Sequence, residues 1–346
     1  MSKHYLESVF GPTSVAVVCD KDYCTIGSQV LKNLQASGYE GSVQAVMPCC
    51  NEAQAAGHSP LERVSDIDQG VDLAVIAAKA SVQAALLREC GELKVSAVIS
   101  RSGGYSETQI QGKALQDELL DIARACNIDL VGPRCLGIIR PVNKLNVSSA
   151  RSPVAHGKVA LVTQSGAFCS ALLDWADAGG HGFSAVASLG ATTDVQLGDV
   201  LDYLAQDPHT TSILLYVERI TNARRFLSGL RAAARLKPVV VIKSGRNESG
   251  ERAALAHIHS PLGNDDVFDA AIRRAGAVRV TVVSQLFAAA TILSSGARVR
   301  GPNLAVITNG GGPGVMAADW AGSVGIPLAK LDPETVTALS DVLPGH

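Results

Sequence analysis

Short, uninterrupted apolar segments alternate with longer amphipathic segments along most of the chain. Segments of about four to eight residues that are rich in β-branched side chains are typical of strands buried on both faces of a sheet. The first series of such segments spans residues 14–18, 43–47, 73–77, 97–100 and 128–131. Helical patterns lie between them at 26–36, 80–90 and 109–126. Strands that alternate with helices predict a doubly wound parallel sheet with right-handed crossovers.

The same pattern starts again after a stretch without clear periodicity. Residues 141–157 contain two prolines and are predicted to be a linker. Strand patterns then follow at 159–162, 183–187, 212–217, 239–242 and 278–280. Helical patterns alternate with these segments up to residue 294, so we expect a second α/β sheet.

A third start of the pattern lies near the end of the sequence. Residues 304–308 have the composition of a strand and run into a glycine-rich turn and a helix, and another helix is predicted over 333–343. One strand with two helices cannot bury both of its faces. We therefore predict three domains, and the third of them is incomplete. Their predicted limits are 1–145, 155–298 and 300–346.

Composition and charge exclude several classes of protein. The 346 residues are 47% apolar and carry a formal net charge of −2, which is typical of a compact globular chain and does not favour nucleic acid as a partner. The eight cysteines form no CxxC pair and no zinc-ligand spacing, so we expect buried, reduced thiols and no metal site. No apolar run approaches the ~18 residues of a membrane helix, and the first residues lack the apolar core of a signal peptide. The expected location is the cytoplasm, without membrane contact.

A pair of histidines follows the strand pattern at 239–242. A Lys-Ser-Gly-Arg turn and a polar loop lead to His257 and His259, shortly before a helix start at Asn264. Open α/β sheets form their sites in loops beyond the carboxyl ends of parallel strands. The alternative is that both histidines are ordinary solvated loop residues.

Two strand-to-helix turns have the composition of an anion site. One contains Gln164, Ser165 and Gly166, and the other runs from Asn309 to Gly314. Free backbone N–H groups at a helix N-terminus favour phosphate. Neither turn carries the Gly-Lys-Ser/Thr sequence of a P-loop. Beside a histidine without metal partners, the two turns suggest that the histidine carries a phosphoryl group between them.

A histidine that accepts a phosphoryl group must be neutral, and its second ring nitrogen needs a fixed acceptor, usually a carboxylate. Glu218 is the candidate, because it ends a predicted strand of the sheet that also holds the strand before the histidines. A carboxylate ~4 Å from an imidazolium contributes on the order of 4 kcal/mol at an effective dielectric constant of ~20. The alternative for Glu218 is a helix cap or an exposed side chain.

Several motifs occur in the order seen in one enzyme family. They are Gln164-Ser165-Gly166-Ala167, Ser188-Leu189-Gly190, Asp207-Pro208 with Thr210, Leu215-Tyr216-Val217-Glu218, Lys237-Pro238, Lys243-Ser244-Gly245-Arg246 and Thr308-Asn309-Gly310-Gly311-Gly312-Pro313-Gly314. Over nearly its whole length the chain resembles the NDP-forming acyl-CoA synthetases, the superfamily of ADP-forming acetate–CoA ligase and succinyl-CoA synthetase. It is also similar to the ligase-like region that precedes the acetyltransferase domain in protein lysine acetyltransferases of that type.

The resemblance implies a Rossmann-like CoA-binding domain, a flavodoxin-like ligase domain and the start of a third ligase domain. It implies a reaction in which acyl-CoA and phosphate give acyl phosphate, His257 takes the phosphoryl group, and a nucleoside diphosphate receives it. His257 falls on the family's phosphohistidine and Glu218 on the glutamate that stabilises it. The family's two phosphate-holding helix starts fall on Gln164, Ser165 and Gly166 and on Asn309, Gly310, Gly311 and Gly312.

The resemblance also implies CoA-contacting positions in the first domain, where this chain departs from the family pattern. Cys19 replaces a glycine, Ala78-Lys79 replaces Thr-Pro, and Arg134 replaces the asparagine of Gly-Pro-Asn. If the family's glycine needs a positive φ, Cys19 is strained by about 1–2 kcal/mol. Around the histidine, Ala256-His257-Ile258-His259 replaces Ser-His-Thr-Gly. The positions expected to contact CoA are Cys19, Asp20, Lys21, Pro48, Lys79, Ser102, Glu107 and Arg134.

The family needs an ATP-grasp domain to handle the nucleotide, and we find none in this sequence. The resemblance therefore implies CoA, a nucleotide (ADP/ATP) and Mg²⁺ as cofactors, with the last two held by an ATP-grasp domain or subunit. It implies a small carboxylic acid and a CoA thioester as substrates, and a homo- or hetero-oligomer as the assembly. The sequence does not name the acyl group or decide between ADP and GDP.

Two other functions fit parts of the sequence. The altered CoA loop favours a non-catalytic module that senses acyl-CoA or regulates an attached acetyltransferase, whereas the retained His257 and Glu218 favour the enzyme. A nicotinamide dehydrogenase is disfavoured, because the first loop has no GxGxxG and no acidic residue ends the second strand.

Lys79 and Arg134 add positive charge at the expected CoA site. We hypothesise that both face the pocket and hold a phosphate of CoA or of another anionic ligand. Replacing Arg134 by alanine should then weaken CoA binding, measured by isothermal titration calorimetry. An unchanged affinity would contradict the hypothesis and would leave both residues as solvated surface charges.

Overall fold

The computed structural model describes residues 4–47, 60–68, 70–105, 109–258, 263–296 and 299–343, and the side chains of 109–111 and 257–258 are outside this description. The chain forms two compact units, Met1–Ser295 and Gly296–His346. The first unit contains both predicted sheets. Each unit is described by itself.

The first sheet is parallel and five-stranded. Its strands are β1 (Ser14–Cys19), β2 (Ser42–Val46), β3 (Leu73–Ala77), β4 (Ala97–Ser100) and β5 (Asp129–Val131), in the order β2-β1-β3-β4-β5. Its helices are α1 (Glu7–Phe10), α2 (Cys24–Ala36), α3 (Ala80–Glu92) and α4 (Gln109–Cys126). Every residue of β3 and β4 is buried, which explains why their apolar runs show no alternation. The predicted doubly wound parallel sheet is confirmed.

The second sheet has seven strands. They are β6 (Gly137–Arg140), β7 (Leu145–Ser148), β8 (His156–Thr163), β9 (Phe183–Ser188), β10 (Ser212–Val217), β11 (Val239–Lys243) and β12 (Val278–Val280). The order is β12-β11-β10-β8-β9-β6-β7, and the five strands from β8 to β12 pair in parallel. The flavodoxin-like α/β arrangement expected for this part is confirmed.

The linker predicted at 141–157 is wrong. Within it, Leu145–Ser148 is a fully buried strand, which forms an antiparallel hairpin with Gly137–Arg140. β6 in turn pairs antiparallel with β9, so the hairpin is the edge of the second sheet. Strands of four residues are too short for a period to be visible, and a 3₁₀ turn that starts at Pro141 separates them. The predicted domain limits stay predictions, but both strands of this hairpin belong to the second sheet.

Among the described residues, six helices accompany the second sheet. They are α5 (Gly166–Ala178), α6 (Leu197–Gln206), α7 (Ala223–Leu236), α8 (Glu248–Ile258), α9 (Asp265–Ala275) and α10 (Val283–Ser294). Ser165, Asn222 and Asn264 each accept a hydrogen bond from the backbone N–H three residues later. Such a cap satisfies one of the N–H groups that a helix start leaves unpaired. These caps explain why the sequence predicts these starts closely.

The stretch before His257 is a helix, α8, and the loop predicted there is wrong. Asn247 Oδ1 accepts from Gly250 N at 2.9 Å, and Glu251 N donates to Asn247 O at 2.7 Å, so Asn247 starts the helix. Strong helix formers follow in the sequence Arg-Ala-Ala-Leu-Ala. Their propensity outweighs the polar character that suggests a loop.

A buried ion pair ties the edge hairpin to the second sheet. Arg140 on β6 donates to both carboxylate oxygens of Asp207, at 2.8 and 2.7 Å, and both side chains are less than 5% exposed. Arg140 also donates to Ser184 O at 3.1 Å. Burial alone would raise the pKa of Asp207, but hydrogen bonds from Arg140 and Thr210 more than offset it and lower that pKa. Breaking such a pair by removing one partner leaves a buried charge and costs about 3–5 kcal/mol.

The two sheets are joined by backbone contact and by a shared core. One continuous cluster of buried apolar side chains includes residues of both sheets. Ala191 N donates to Pro133 O at 2.8 Å, and Thr193 N donates to Gly132 O at 3.3 Å. A Cβ added at Gly190 would lie 2.1 Å from Pro133 O, so only glycine allows this approach.

The second unit contains the helices α11 (Gly311–Ser323) and α12 (Pro333–Ser340). The strand predicted at 304–308 is wrong, because its described residues form only one isolated bridge, between Leu304 and Leu328. A strand needs neighbours to satisfy its backbone, and this unit supplies one partner residue. Large apolar side chains such as Ile307, Met316 and Trp320 are exposed, and the incomplete third domain stays a prediction.

Six of the eight cysteines lie in the described part of the chain, and none of these six forms a disulfide. Five are buried, as expected, and one is partly buried; Cys49 and Cys50 lie outside the described residues. The buried ones are Cys19, Cys24, Cys90, Cys135 and Cys169. Over the described ranges, no helix is both long enough and apolar enough to cross a membrane.

Asp129, at the start of β5, lies near the junction between the two sheets and should make the stability of the fold depend on pH. Burial, with the nearby charges of Asp194 and Asp199, raises its pKa to about 6. An unfolded aspartate titrates near pH 4, so between about pH 4 and 6 the unfolded chain releases a proton that the folded protein keeps. The folded state therefore loses stability as pH rises through this window. Replacing Asp129 by asparagine should raise the melting temperature at pH 7.5, and the gain should vanish towards pH 4. An equal gain at both pH values in calorimetric unfolding would contradict this account.

Candidate active site

The turn between β8 and α5 is held by the hydroxyl of Thr163. Ser165 N donates to Thr163 Oγ1 at 3.0 Å, and this hydroxyl donates to Ser165 O at 3.1 Å. Ser165 Oγ then accepts from Phe168 N at 3.2 Å and caps α5. Among the described residues, a Cβ added at Gly166 would touch only Leu136, at 3.8 Å. This geometry is that of an anion-binding helix start.

The glycine-rich turn of the second unit has the same local geometry. Gly310 N donates to Thr308 Oγ1 at 3.1 Å, and the hydroxyl donates to Gly310 O at 3.1 Å. Gly310 is the N-cap of α11, with extended backbone angles like those of the first cap, and carries no side-chain cap. A Cβ added at Gly311 or Gly312 would meet nothing within 4 Å among the described residues. Asn309 precedes this cap as Gln164 precedes Ser165.

The side-chain amide of Gln164 connects the first turn to Glu218. Gln164 Oε1 accepts from Glu218 N at 2.7 Å and from Arg219 N at 3.0 Å. Gln164 Nε2 donates to Arg219 O at 2.8 Å and to Thr192 Oγ1 at 3.2 Å. All four hydrogen-bonding positions of the amide are used. Gln164 thus positions Glu218, and its predicted direct contact with phosphate stays a prediction.

Glu218 follows β10, and its carboxylate interacts with the phenol of Tyr216. Burial raises the pKa of Tyr216, the Glu218 carboxylate adds to the rise, and a hydrogen bond with Ser244 opposes it. The ring of Tyr216 stacks on Phe168 of α5, with centroids 4.4 Å apart. Glu218 is partly buried beside the first turn, so it is not a fully exposed side chain.

His257 lies in the last turn of α8, and its side chain is outside the described residues, as is the whole of His259. α8 follows β11, which pairs in parallel with β10 so that Val217 is opposite Lys243. The structure brings Gln164, the Ser165 turn and Glu218 together. The proximity of the His257 ring to Glu218 stays a prediction.

A cavity of about 230 Å³ opens beside Glu218, between α7 and α9. Its walls are mostly apolar, with Phe226 and Phe268 among them. Lys243, which is buried, forms an ion pair with Asp265 at 3.5 Å at its edge. An apolar space that ends at a carboxylate and a cation is the kind of site where small organic ligands bind.

The first sheet carries a larger cavity, of about 600 Å³, at the carboxyl ends of β1 and β2. Of the predicted CoA positions, Cys19 and Asp20 line it. Its other lining residues are Val18, Val46, Glu62, Arg63, Val64, Ser65, Val82, Ala85, Leu86, Glu89 and Glu92. With Asp20 included, the described lining holds four carboxylates and one arginine. The apolar walls suit an uncharged part of CoA, whereas the carboxylates disfavour its phosphates.

Strain falls on Arg134 and not, as expected, on Cys19. Cys19 is the last residue of β1 and has no positive φ, so the expectation of strain there is wrong. Arg134 has a φ of +63°. Asparagine, which the resemblance leads us to expect at this position, tolerates the left-handed region better than arginine.

The other predicted CoA positions are occupied by local contacts. Asp20 accepts hydrogen bonds from Tyr23 N and Lys79 N, at 3.1 and 2.8 Å, and so holds two loops together. The ammonium of Lys79 is paired with Asp22. Ser102 is fully buried, and its hydroxyl donates to Ala78 O. Neither Lys79 nor Ser102 lines the cavity, and their contact with CoA stays a prediction.

Two of the four remaining predicted positions lie within the described residues, and neither lines the cavity. Lys21 is exposed in the loop after β1, and Arg134 lies against Ser102, to whose carbonyl its N–H donates at 3.1 Å. Pro48 and Glu107 are outside the described residues. Thr192, which has a φ of +50° and contacts Gln164, is not among the residues predicted from the sequence. A threonine directly after Gly190-Ala191 gives no signal of that conformation.

Two parts of the chain match known protein families. Residues 13–141 match a family model described as a CoA binding domain, and residues 156–293 match one described as a succinyl-CoA ligase like flavodoxin domain. The alpha subunit of acetate–CoA ligase (ADP-forming) I from Pyrococcus furiosus is 36% identical over 326 residues, which are 93% of this chain and 71% of the relative. This chain belongs to the ADP-forming acetate–CoA ligase family.

Other members of the ADP-forming acetate–CoA ligase family extend further than this chain. Acetate–CoA ligase (ADP-forming) I from Archaeoglobus fulgidus is 37% identical over 342 residues, and the chain covers 49% of it, about half its length. A solved structure from Ca. Korarchaeum cryptofilum, an acetyl-coenzyme A synthetase 1 in complex with phosphate and ADP, has a TM-score of 0.91 at 31% identity. That match covers 98% of this chain and 73% of the other. The fold expected for this ligase family is therefore shown.

Removing the amide of Gln164 should destabilise the ligase-family fold. Gln164→Ala leaves the N–H groups of Glu218 and Arg219 without their acceptor, at an expected loss of about 1–3 kcal/mol in the free energy of unfolding. Urea unfolding measures this loss. Gln206→Ala, at an exposed position at the end of α6, is the matched control and should change stability by less than about 0.5 kcal/mol. Equal losses in both variants would show that the bridge contributes nothing.

Proposed function

We propose that this chain is the part of an NDP-forming acyl-CoA synthetase that carries acyl phosphate and a phosphohistidine. The observation that carries the proposal is the Gln164 bridge, which holds the Glu218 backbone beside the Ser165 turn. A carboxylate and an amide-rich helix start then meet at one end of the sheet, next to the strand that leads to His257. The family membership of the chain supports the same function.

In the first step, a phosphate oxygen attacks the thioester carbonyl of acyl-CoA. The carbon–sulfur bond breaks, CoA leaves as its thiol with a proton from the phosphate, and acyl phosphate remains. The N–H groups of Gly166 and Ala167 would hold the phosphate oxygens at the start of α5, where the helix dipole favours negative charge. Ser165 orients this helix start by capping it.

In the second step, a ring nitrogen of His257 attacks the phosphorus of acyl phosphate, and the carboxylic acid leaves as its carboxylate. Glu218 would accept a hydrogen bond from the N–H of the other ring nitrogen and stabilise the positive charge that develops on the ring. The role of His257 follows from the resemblance of its position. The hydrogen bonds that fix the backbone of Glu218 support its proposed role as the partner of His257.

In the third step, the phosphoryl group passes from His257 to a nucleoside diphosphate. The second turn, with Gly310, Gly311 and Gly312, has the amides to hold a phosphate at this stage. We propose that an ATP-grasp domain or a separate subunit binds the nucleotide and Mg²⁺, and that the assembly is an oligomer in the cytoplasm. Inside the described residues no group of three metal-binding side chains comes together.

A second candidate is a module that binds acyl-CoA without catalysis. The carboxylate-rich lining of the first-sheet cavity and the pairing of Lys79 with Asp22 favour a changed way of binding CoA. This candidate keeps the fold and the ligand class but needs no phosphorylation of His257.

Labelled acetyl phosphate separates the two candidates. Incubation of the protein with [³²P]acetyl phosphate should label the wild type with an acid-labile, base-stable phosphate, as phosphohistidine requires. His257→Ala should abolish the label. His259→Ala, two residues away, is the matched control and should retain it. A label that survives in His257→Ala would contradict the proposed role, and an unlabelled wild type would favour the acyl-CoA-binding module.

A further inference from the structure

Thr192 has a backbone conformation that threonine rarely adopts. Its φ is +50°, and its side chain is buried, with 3% of its surface exposed. A β-branched residue in the left-handed region is a true outlier, because its branched Cβ crowds the following carbonyl. Glycine or asparagine would fit the same backbone more easily. An outlier of this kind at a candidate site calls for a functional explanation.

The backbone on both sides of Thr192 is fixed by the first sheet. Ala191 N donates to Pro133 O at 2.8 Å, and Thr193 N donates to Gly132 O at 3.3 Å. Thr192 N itself points back to Leu189 O at 3.4 Å. The two neighbours hold this turn in place whichever residue occupies position 192, so the turn does not need the threonine.

The strained conformation places the Thr192 hydroxyl against Gln164. Thr192 Oγ1 accepts from Gln164 Nε2 at 3.2 Å, in a buried contact. The other hydrogen of Nε2 goes to Arg219 O, and Oε1 receives the N–H groups of Glu218 and Arg219. Because both of those backbone groups are donors, the atom that faces them must be the oxygen. The amide therefore has one orientation in which every partner is satisfied, and Thr192 is the only side chain among its four described contacts.

We propose that Thr192 is a positioning residue that fixes the Gln164 amide and, through it, the backbone of Glu218. The consequence for catalysis rests on the proposed function, whereas the positioning itself does not. Without an acceptor at position 192, one buried N–H of Gln164 loses its partner, and the amide can rotate away from the Glu218 and Arg219 backbone. Glu218 then samples positions other than the one required for its partner histidine.

The adjacent Thr193 supplies a matched control. Its hydroxyl is buried and finds no hydrogen bond among the described residues. Thr193→Val therefore makes the same chemical change one residue along the chain without removing a contact. It should leave both readouts below unchanged.

Four variants at position 192 separate the hydroxyl from the backbone strain. Thr192→Val keeps the β-branch and loses the acceptor, and Thr192→Gly relieves the strain and loses the acceptor. Thr192→Ser keeps the acceptor with less crowding, and Thr192→Asn suits the backbone and also offers an oxygen acceptor. Should the valine variant fail to fold, the glycine and serine variants alone still make the comparison.

The first measurement is the rate of amide hydrogen exchange at Glu218 and Arg219, monitored by NMR. It does not depend on enzymatic activity. The valine and glycine variants should exchange about tenfold faster or more at both amides, and the serine variant should resemble the wild type. Thermal stability should follow a different order, with glycine above valine. Unchanged exchange in both Thr192→Val and Thr192→Gly would overturn the proposal.

The second measurement is the rate of labelling by [³²P]acetyl phosphate. It should fall about tenfold in the valine and glycine variants and stay near the wild-type rate in Thr192→Ser and Thr193→Val. A glycine variant with higher stability than valine but equally slow labelling would show that the hydroxyl, not the fold, limits the rate. If exchange responds as expected while the wild type takes no label, the proposed function fails and the positioning role stands. If labelling is normal in every variant while exchange rises, Glu218 does not need this support and the catalytic part of the proposal is wrong.

Discussion

A single stretch of backbone, from Gly132 to Gly137, is held between the ends of the two sheets, and the site depends on it. A Cβ added at Gly132 would lie 2.4 Å from Ser100 O of the first sheet, and one at Gly190 would lie 2.1 Å from Pro133 O. Leu136 N donates to Ser188 Oγ at 2.9 Å. Close contact on both sides leaves no room for a slip of one sheet against the other. Carboxyl-terminal ends of strands from both sheets are thereby brought to one region.

This constraint passes into the site through the loop that begins at Gly190. The loop bonds to the backbone of residues 132 and 133, and its Thr192 reaches the amide of Gln164. Gln164 in turn holds the backbone beyond β10. The backbone of Glu218 is therefore held near the start of α5 by neutral hydrogen bonds. A buried charge is not needed for this purpose, which avoids the desolvation that such a charge would cost. The buried ion pair of Arg140 and Asp207 lies instead at the hairpin. It connects the hairpin to the rest of the second sheet and takes no part in the proposed reaction.

The sequence allowed much of the fold to be predicted, because strands such as Leu73–Ala77 are buried on both faces and read as unbroken apolar runs. The helix starts at Asn222 and Asn264 could also be predicted, because a capping side chain stands at each of them. The hairpin at 137–148 was missed because strands of four residues show no period. At α8 the error was opposite, since polar residues around a capped, alanine-rich segment suggested a loop.

At the candidate site, Ser165 and Glu218 could be predicted because both follow the ends of strands. The hydrogen bond between Gln164, next to Ser165, and the backbone of Glu218 could not be predicted. It depends on a side-chain amide that reaches across 54 positions of the sequence. The positive φ angles of Arg134 and Thr192 could not be predicted either. Distant contacts impose these backbone angles, and the residue type alone does not indicate them. The relevant information lies in the tertiary structure.

The edge hairpin has one more consequence, for how this protein can be divided. Because β6 pairs with β9, the chain that leaves the first sheet completes the second sheet before β8 begins. A fragment that starts after residue 148 would expose the backbone of β9 along one side, together with the buried Val186 and Ala187. An open, apolar strand edge invites pairing with other molecules. A fragment that keeps every strand of the second sheet must therefore begin ahead of Gly137.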